Sequence, residues 1–393
     1  MRICILATSY MRNKKDAYVP FVHYLAKDLA KRHTITVVAS RDSGALPRET
    51  MDGVHIRRFN YFFPSGLQRL TYRGGMMESY RDSFLSKVQL PFFFLSFLFN
   101  AFRPCRQCDL IHAHWSFTGF VALLLKPFHH KPIVVTLHGA DVRKMPRFIN
   151  RYVFRNADAV VSAHRDLLDM ARGLVPDARY HEIRNMTDYD ALEKKSSLGR
   201  IRKEFSLQNR KLITFVGRFE PMKDPVTFVE AIPFVLREKK DVKFVMIGIG
   251  HLREAVERRI QELGLENEVV LTGLRNDIPA VLRNTSVFTA ISRLENCFST
   301  TIIEAMTLGV PCVITRAGMT EDYFTHNKDS YLIPRKDPKA LANAILKMLD
   351  SSSLRNRLVR GGKEFLRKNG FDKEVIQMQL ENLYASLTRK YSK

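Results

Sequence analysis

Residues 2–39, RICILATSYMRNKKDAYVPFVHYLAKDLAKRHTITVVA, decide the fold class. Residues 2–7 are a short apolar run of strand length. A polar loop follows, then Val22, Leu25 and Leu29 step at helical spacing, and residues 34–39 form a second apolar run. The unit reads strand, helix, strand. Apolar runs without polar alternation suit strands covered on both faces, as in a parallel sheet. The same alternation returns at 109–112, 133–137 and 159–162, with helical stretches between, so the first half is predicted to be one doubly wound α/β domain.

A polar stretch at 188–210, containing EKKSS and QNRK, interrupts this pattern. A second set of apolar runs then begins at 212–216 and continues at 244–247, 269–271, 287–290 and 311–314. Beyond Phe371, the residues Ile376, Leu380, Leu383 and Leu387 step by 4, 3 and 4, which predicts an amphipathic helix ending in a basic tail. The expected organisation is a first domain at 1–190, a linker at 191–210, a second domain at 211–370 and a final helix at 371–393. Ligands of such sheets sit beyond the carboxyl ends of the strands, so the cleft between the domains is the expected active site.

The chain has 393 residues, 45% hydrophobic and 26% charged, with 19 glycines and 16 prolines. Disordered, collagen-like and low-complexity classes are excluded. The formal charge of +23 is concentrated early: residues 1–150 hold 22 Lys+Arg and 9 Asp+Glu, or +13. Such an excess implies a polyanionic partner, whether nucleic acid, an anionic membrane or phosphorylated small molecules. Five scattered cysteines make no disulfide framework, and the first ten residues lead to no cleavage-site pattern, so a cytoplasmic chain is expected. The run 90–102, LPFFFLSFLFNAF, is about thirteen residues long where a span needs ~20. It reads either as a buried helix or as an in-plane docking helix flanked by Arg73, Arg81, Lys87, Arg103 and Arg106.

Three places carry chemistry. The strand at 212–216 runs through Gly217 into Arg218-Phe-Glu-Pro-Met-Lys223, putting two cations and free loop amides at a strand's carboxyl end, a combination able to hold a diphosphate without a metal. A solvated basic turn is the competing reading. At 291–311, ISRLENCFSTTIIEAMTLGVP, a loop with Glu295 and Asn296 leads to a helix beginning near Thr300. Phe298, Ser299, Thr300 and Thr301 offer backbone donors to a phosphate, and Glu304 is placed to accept from a ribose diol. An ordinary capped helix would look similar. In the first half, DLIHAHW (109–115) and TLHGAD (136–141) put His112, His114 and His138 at strand ends, where His138 suits sugar hydroxyls or phosphate. Cys105-x-x-Cys108 upstream raises zinc, but no second C-x-x-C or H-E-x-x-H accompanies it, and no metal site is assigned. Gly248-Ile-Gly250 lacks the third glycine of a dinucleotide fingerprint and reads as a packing turn.

In this order the motifs resemble glycosyltransferase family 4, the retaining sugar-nucleotide transferases of the GT-B fold, in which two Rossmann-like domains face each other. The blocks are DLIHAHW, TLHGADV, RNADAVVSAHRDLL, VGRFEPMKDP, VMIGIGHLREAVERRIQELGLENEVVLTGL and ENCFSTTIIEAMTLGVP. The resemblance implies a hexosyltransferase whose first domain is on the acceptor side and whose second holds the nucleotide sugar, such as a UDP- or GDP-sugar. Arg218 and Lys223 then neutralise the diphosphate, Glu304 binds the ribose and His138 touches the sugar. Asn296, Phe298, Ser299, Thr300 and Thr301 hold phosphate and sugar, with Leu274 also on the nucleotide side. The final helix would cross back onto the first domain. The family spaces its two glutamates eight apart, whereas Glu295 and Glu304 are nine apart, so either Glu295 or Asn296 faces the sugar. The loop after the first strand, 8–16, lacks the family's glycines, and Lys14 or Lys15 is the candidate replacement.

No metal or other cofactor is expected, since side chains and amides meet the diphosphate charge. A lipid-linked or membrane-proximal acceptor is expected from the early positive charge, the 90–102 run and the aromatics beside arginine at Arg57-Arg-Phe-Asn-Tyr-Phe-Phe63. The alternatives are a nucleotide-sugar epimerase of the same fold, separable by donor turnover without acceptor, and a nucleic-acid-binding protein, for which no RNP, KH, zinc-finger or helix-turn-helix signature is present.

Overall fold

The computed structural model describes residues 1–14, 16, 19–71, 76–193, 198–293, 299–318 and 320–391. They form two compact units, one of residues 1–187 with 373–393 and one of residues 188–372.

The first unit contains β1 (Arg2–Leu6), β2 (Thr34–Ser40), β3 (Arg48–Met51), β4 (Val54–Phe59), β5 (Leu110–His114), β6 (Ile133–Leu137), β7 (Ala159–Ser162) and β8 (Tyr180–Glu182). Their order in the sheet is β3-β4-β2-β1-β5-β6-β7-β8. Neighbours are parallel except for the edge hairpin of β3 and β4. Ile3, Cys4, Ile5 and Leu6 are all buried, because helices cover both faces of the sheet, and of β1 only Arg2 at its start is exposed.

The helix Phe84–Gln107 is 24 residues long, well beyond the apolar run 90–102 seen in the sequence. Of the basic residues expected to flank the run, Lys87, Arg103 and Arg106 lie inside the helix. Gln89 is buried, accepts from the Arg69 amide at 2.9 Å and donates to the Leu67 carbonyl at 2.7 Å. By length and composition it could cross a membrane. Here one face joins the core, where Phe97 meets Phe59 edge to face at 5.0 Å and Phe93 lies 5.3 Å from Phe117. The other face, Phe84, Val88, Phe92, Leu95 and Phe99, is exposed. Buried core and exposed apolar face are thus two sides of one helix. The 57–63 segment divides likewise: Phe59 and Tyr61 are core, Arg58 is buried against Glu49, and Phe63 is 89% exposed. Cys105 is fully buried in this helix.

The last helix, Lys373–Tyr391, packs within the first unit. Glu381 meets His33 at 2.8 Å, the Gln377 amide donates to Asp28, and the Tyr384 hydroxyl lies 2.7 Å from His112 Nδ1.

The second unit contains β9 (Lys211–Val216), β10 (Val242–Ile247), β11 (Val269–Gly273), β12 (Thr285–Ala290), β13 (Cys312–Thr315) and β14 (Tyr331–Ile333). The order is β11-β10-β9-β12-β13-β14, parallel throughout. The expected linker at 191–210 is instead part of this unit: Ile201, in the helix Leu198–Glu204, packs with Phe205 and Leu207 against Leu212, Val245 and Val281. Of the two charged stretches that suggested a linker, residues 194–197 lie outside the described residues and residues 208–211 follow the helix, whose own sequence LGRIRKE has too few apolar residues to stand out.

Gly248 and Gly250, at φ 151° and 158°, hold the β10 turn against the β9 turn. A Cβ on Gly248 would lie 1.9 Å from the Gly217 carbonyl oxygen, and one on Gly250 would lie 2.4 Å from that of Phe219. The Phe219 amide donates to Ile249 at 2.8 Å, and the Leu252 amide donates to Phe219 at 2.9 Å. These glycines form a packing turn and allow two loop backbones to touch.

Candidate active site

In the second unit the chain winds one way from β9 to β10 and β11, and the other way through β12, β13 and β14. The gap between β9 and β12 is therefore the topological switch point, and loops leaving the carboxyl ends of these strands diverge to leave a crevice. Arg218 stands there, exposed, just past β9. Among the described residues no side-chain hydrogen bond or ion pair holds it, whereas Glu220 meets His251 at 2.7 Å.

Lys223 closes a short 3-10 turn, Pro221–Lys223, and is partly exposed. Asp224 follows, buried and left-handed at φ 42°, starting the helix Pro225–Glu238. Its carboxylate accepts from Thr227 at 2.9 Å and pairs with Arg293 at 2.8 Å. Arg293 leaves β12, and its amide donates to the Met222 carbonyl at 2.8 Å. The two switch-point loops are thereby fastened together. Neither Asp224 nor Arg293 stood out in the sequence; the available signal was an acid directly before a proline at a helix start.

The helix Thr300–Thr307 opens beside the β12 loop, as expected. Ser299 is in the N-cap position but makes no side-chain cap bond, and the first turn holds no acid. The ordinary capped helix with an acidic first turn is thus not what forms. Thr300 is exposed, while Thr301 and Glu304 are partly exposed. Leu274 follows β11 and is 62% exposed. Glu295, Asn296 and Phe298 lie outside the described residues, as does Lys15.

The first unit offers a different chemistry. His112 and His114, two apart on β5, share a face and stack at 4.6 Å. His114 stacks in turn on His138 at 5.2 Å with the rings 6° from parallel, and its Nδ1 lies 2.9 Å from His138 Nε2. One of these nitrogens donates, so the pair fixes each ring's orientation and tautomer. His112 is held by Thr136 and Tyr384, each at 2.7 Å. Burial lowers His112 and His138 to about 3 and His164 to about 4, and His114 falls well below the usual range. The rings are therefore neutral hydrogen-bonding groups near pH 7. Phe21 and Trp115 flank His138 at 4.7 and 5.0 Å. Trp115 itself is left-handed at φ 73°, an unfavourable backbone for a bulky side chain, and such strain concentrates at functional positions. The stack and the part played by Tyr384 were not visible in the sequence.

In the loop after β1, Lys14 pairs with Asp52 at 2.5 Å, and Asp52 also meets His23 at 3.1 Å. Cys4, Cys105, Cys108 and Cys312 are buried free thiols. Among the described residues, no three His, Cys, Asp or Glu side chains gather in a way that could hold a metal ion.

Comparison with known proteins adds to this geometry. A sequence profile described as "Glycosyl transferases group 1" matches residues 199–365, and one described as "Glycosyl transferase 4-like domain" matches residues 17–186. The chain is 24% identical over 291 residues to N-acetyl-alpha-D-glucosaminyl L-malate synthase of Bacillus anthracis, covering 72% of this chain and 75% of that protein. It is 25% identical over 276 residues to UDP-Gal:alpha-D-GlcNAc-diphosphoundecaprenol alpha-1,3-galactosyltransferase of Escherichia coli, covering 64% and 71%. A phosphatidyl-myo-inositol mannosyltransferase of Mycobacterium leprae is 25% identical over 293 residues, covering 72% and 75%. Among solved structures, Anabaena HepE in complex with UDP-glucose matches with a TM-score of 0.72 at 17% identity, covering 98% of this chain and all of that one. A sucrose-phosphate synthase of Thermosynechococcus elongatus matches with a TM-score of 0.74 at 18% identity, covering 99% of each. These likenesses establish a GT-B fold.

Proposed function

The chain belongs to the group 1 glycosyltransferases of the GT4 type, and from that premise we propose that it moves a hexose from a nucleoside-diphosphate sugar to an acceptor hydroxyl with retention at the anomeric carbon. The observation that carries the donor class is Arg218, an exposed cation at the carboxyl end of β9 on the switch point, where the neighbouring strand β12 leads on to a helix whose N-cap Ser299 makes no side-chain cap bond. A diphosphate is the dianionic group such a crevice fits.

In this reading the bond from the anomeric carbon to the diphosphate oxygen breaks, the acceptor oxygen bonds to that carbon on the same face, and the acceptor proton leaves with the diphosphate. Arg218, Lys223 and the amides of Ser299, Thr300 and Thr301 meet the charge that grows on the leaving group. Glu304 accepts from the ribose, Leu274 lies against the nucleotide, and either Glu295 or Asn296 meets the sugar, with Phe298 beside it. His138, a neutral imidazole oriented by His114, hydrogen-bonds a sugar hydroxyl. No metal is required because the counter-charge is built in.

The acceptor is taken to be a glycan precursor or lipid-linked molecule reached from the cytoplasmic face of a membrane. Its support is the exposed apolar face of Phe84–Gln107 in a unit rich in arginine, together with relatives whose names specify diphosphoundecaprenol-linked and phosphatidylinositol acceptors. A panel of nucleoside diphosphates and their sugars, read by thermal shift and then by turnover, tests the donor. Stabilisation by at least one nucleoside diphosphate, lost in Arg218→Ala, is expected; indifference of the wild type to the whole panel rejects the donor class.

A further inference from the structure

The first unit has a cavity of about 800 Å³ between the edge hairpin and the far end of the helix Phe84–Gln107. Arg48, Arg57 and Arg103 stand on its wall, and Leu98, Phe102 and Phe128 supply apolar surface. It shares no residue with the histidine stack. Arg48 and Arg57 are direct partners in the antiparallel β3–β4 ladder, so two like charges face each other across the pair. Such an arrangement is unfavourable unless an anion lies between them. No carboxylate among the described residues pairs with Arg48, Arg57 or Arg103. The next residue, Arg58, is by contrast buried against Glu49 at 2.5 Å and the Leu46 carbonyl at 2.9 Å. Carboxylates are therefore supplied for the structural arginine and withheld from the three exposed ones.

The surroundings identify the anion. Phe99, 83% exposed, is on the cavity wall and continues the outward face of Leu95, Phe92, Val88 and Phe84, spaced along one side of the helix. Phe102 and Phe128 stack edge to face at 5.7 Å at the same end. A free phosphate has no use for this apolar wall, whereas a lipid phosphate needs a cationic socket opening onto apolar surface. Arginine suits the socket, since its planar fork binds phosphate oxygens in pairs.

We propose that this cavity binds the phosphate of an anionic membrane phospholipid, with the outward face of Phe84–Gln107 lying in the acyl boundary above it. This rests on the reading that the first unit docks on a membrane, and it makes docking selective for anionic lipid through three named arginines.

The test is co-sedimentation of the full chain with vesicles of phosphatidylcholine alone or with about one-third phosphatidylglycerol. The wild type is expected to prefer the anionic vesicles. At about 1 kcal/mol per basic residue near the surface, each of Arg48→Gln, Arg57→Gln and Arg103→Gln lowers anionic binding about fivefold. These side chains are exposed, so thermal melting stays unchanged and confirms folding. The pair Lys240→Gln, Arg258→Gln removes two exposed charges from the second unit and is expected to retain binding. Leu95→Ser with Phe99→Ser is expected to weaken binding to both vesicle types. If the wild type binds neither vesicle at low salt, docking itself is wrong. If it binds but the arginine variants match it, or the Lys240, Arg258 pair loses as much, docking stands and the socket is rejected. Glycerol phosphate binding in calorimetry that the arginine variants abolish, with wild-type vesicle binding no stronger on anionic than on neutral vesicles, would reassign the socket to a soluble anion.

Discussion

The two units share an architecture and treat charge in opposite ways. Each has a parallel sheet, and each places its candidate site beyond strand carboxyl ends. In the second unit that end carries exposed Arg218, partly exposed Lys223 and an uncapped helix. In the first it carries three stacked histidines kept neutral by burial, with Phe21 and Trp115 around them. The first unit's unpaired arginines sit instead on the flank, beside an exposed aromatic helix face. The same fold therefore presents exposed positive charge at the strand ends of one unit and buried neutral rings at those of the other. What differs is whether polar residues at the strand ends are left in water or covered.

Acid should separate the units most strongly. His112 and His138 have pKa values near 3 in the fold and near 6.5 when unfolded, so the unfolded chain binds more protons between those limits. The stability associated with both is complete above ~6.5 and is lost as pH falls toward about 3. At pH 5 the two together cost the first unit about 4 kcal/mol. Trp115 is the single tryptophan and lies in that unit, so its fluorescence during urea unfolding at pH 7 and pH 5 reports the first unit directly. Equal midpoints at the two pH values would show that the stack is not buried neutral.

The next largest effect belongs to the second unit's cations. Arg218→Ala and Lys223→Ala are each expected to lower kcat/KM by ~10²–10³-fold, or about 3–4 kcal/mol, the usual loss when a preorganised charge partner is removed. The exposed Arg218 variant should melt like wild type. Near-normal turnover in both variants would dissolve the contrast between the units.

Gly248→Ala sharpens the comparison through stability. The new Cβ meets the Gly217 carbonyl at 1.9 Å, so the β9 and β10 turns must separate. A loss of about 3 kcal/mol confined to the second unit is expected, with the Trp115 transition unmoved. Circular dichroism followed in parallel with fluorescence would show it.

His138→Ala is expected to have a smaller effect, about tenfold on turnover, corresponding to one hydrogen bond of a neutral group. Nucleoside diphosphate affinity, measured by calorimetry, should stay unchanged because the proposed diphosphate contacts lie in the second unit. A parallel loss of diphosphate affinity would contradict this division. The smallest expected effect is none: turnover in EDTA equal to the untreated rate, as the proposed counter-charge of Arg218, Lys223 and backbone amides requires. Loss of activity restored by a divalent cation would overturn that expectation.

Much of this was legible in local sequence. The strand at 133–137 is found at those residues, the run at 212–216 gains only Lys211, and the helix expected near Thr300 begins there. A fully apolar strand and a loop full of small polar residues carry their signal within a few neighbours, because period, turn chemistry and helix initiation depend on adjacent residues. What only tertiary structure decided involves partners far apart in the chain. Tyr384 meets His112 across 272 positions, and Arg293 fastens Asp224 across 69. Residues 198–207 looked like a linker until Leu212, Val245 and Val281 supplied a core for them. The helix Phe84–Gln107 has phenylalanines on nearly every side. Only packing against Phe59 and Phe117 determines that Phe93 and Phe97 turn inward and Phe84, Phe92 and Phe99 outward, because burial of apolar area is non-directional and the sheet chooses the face.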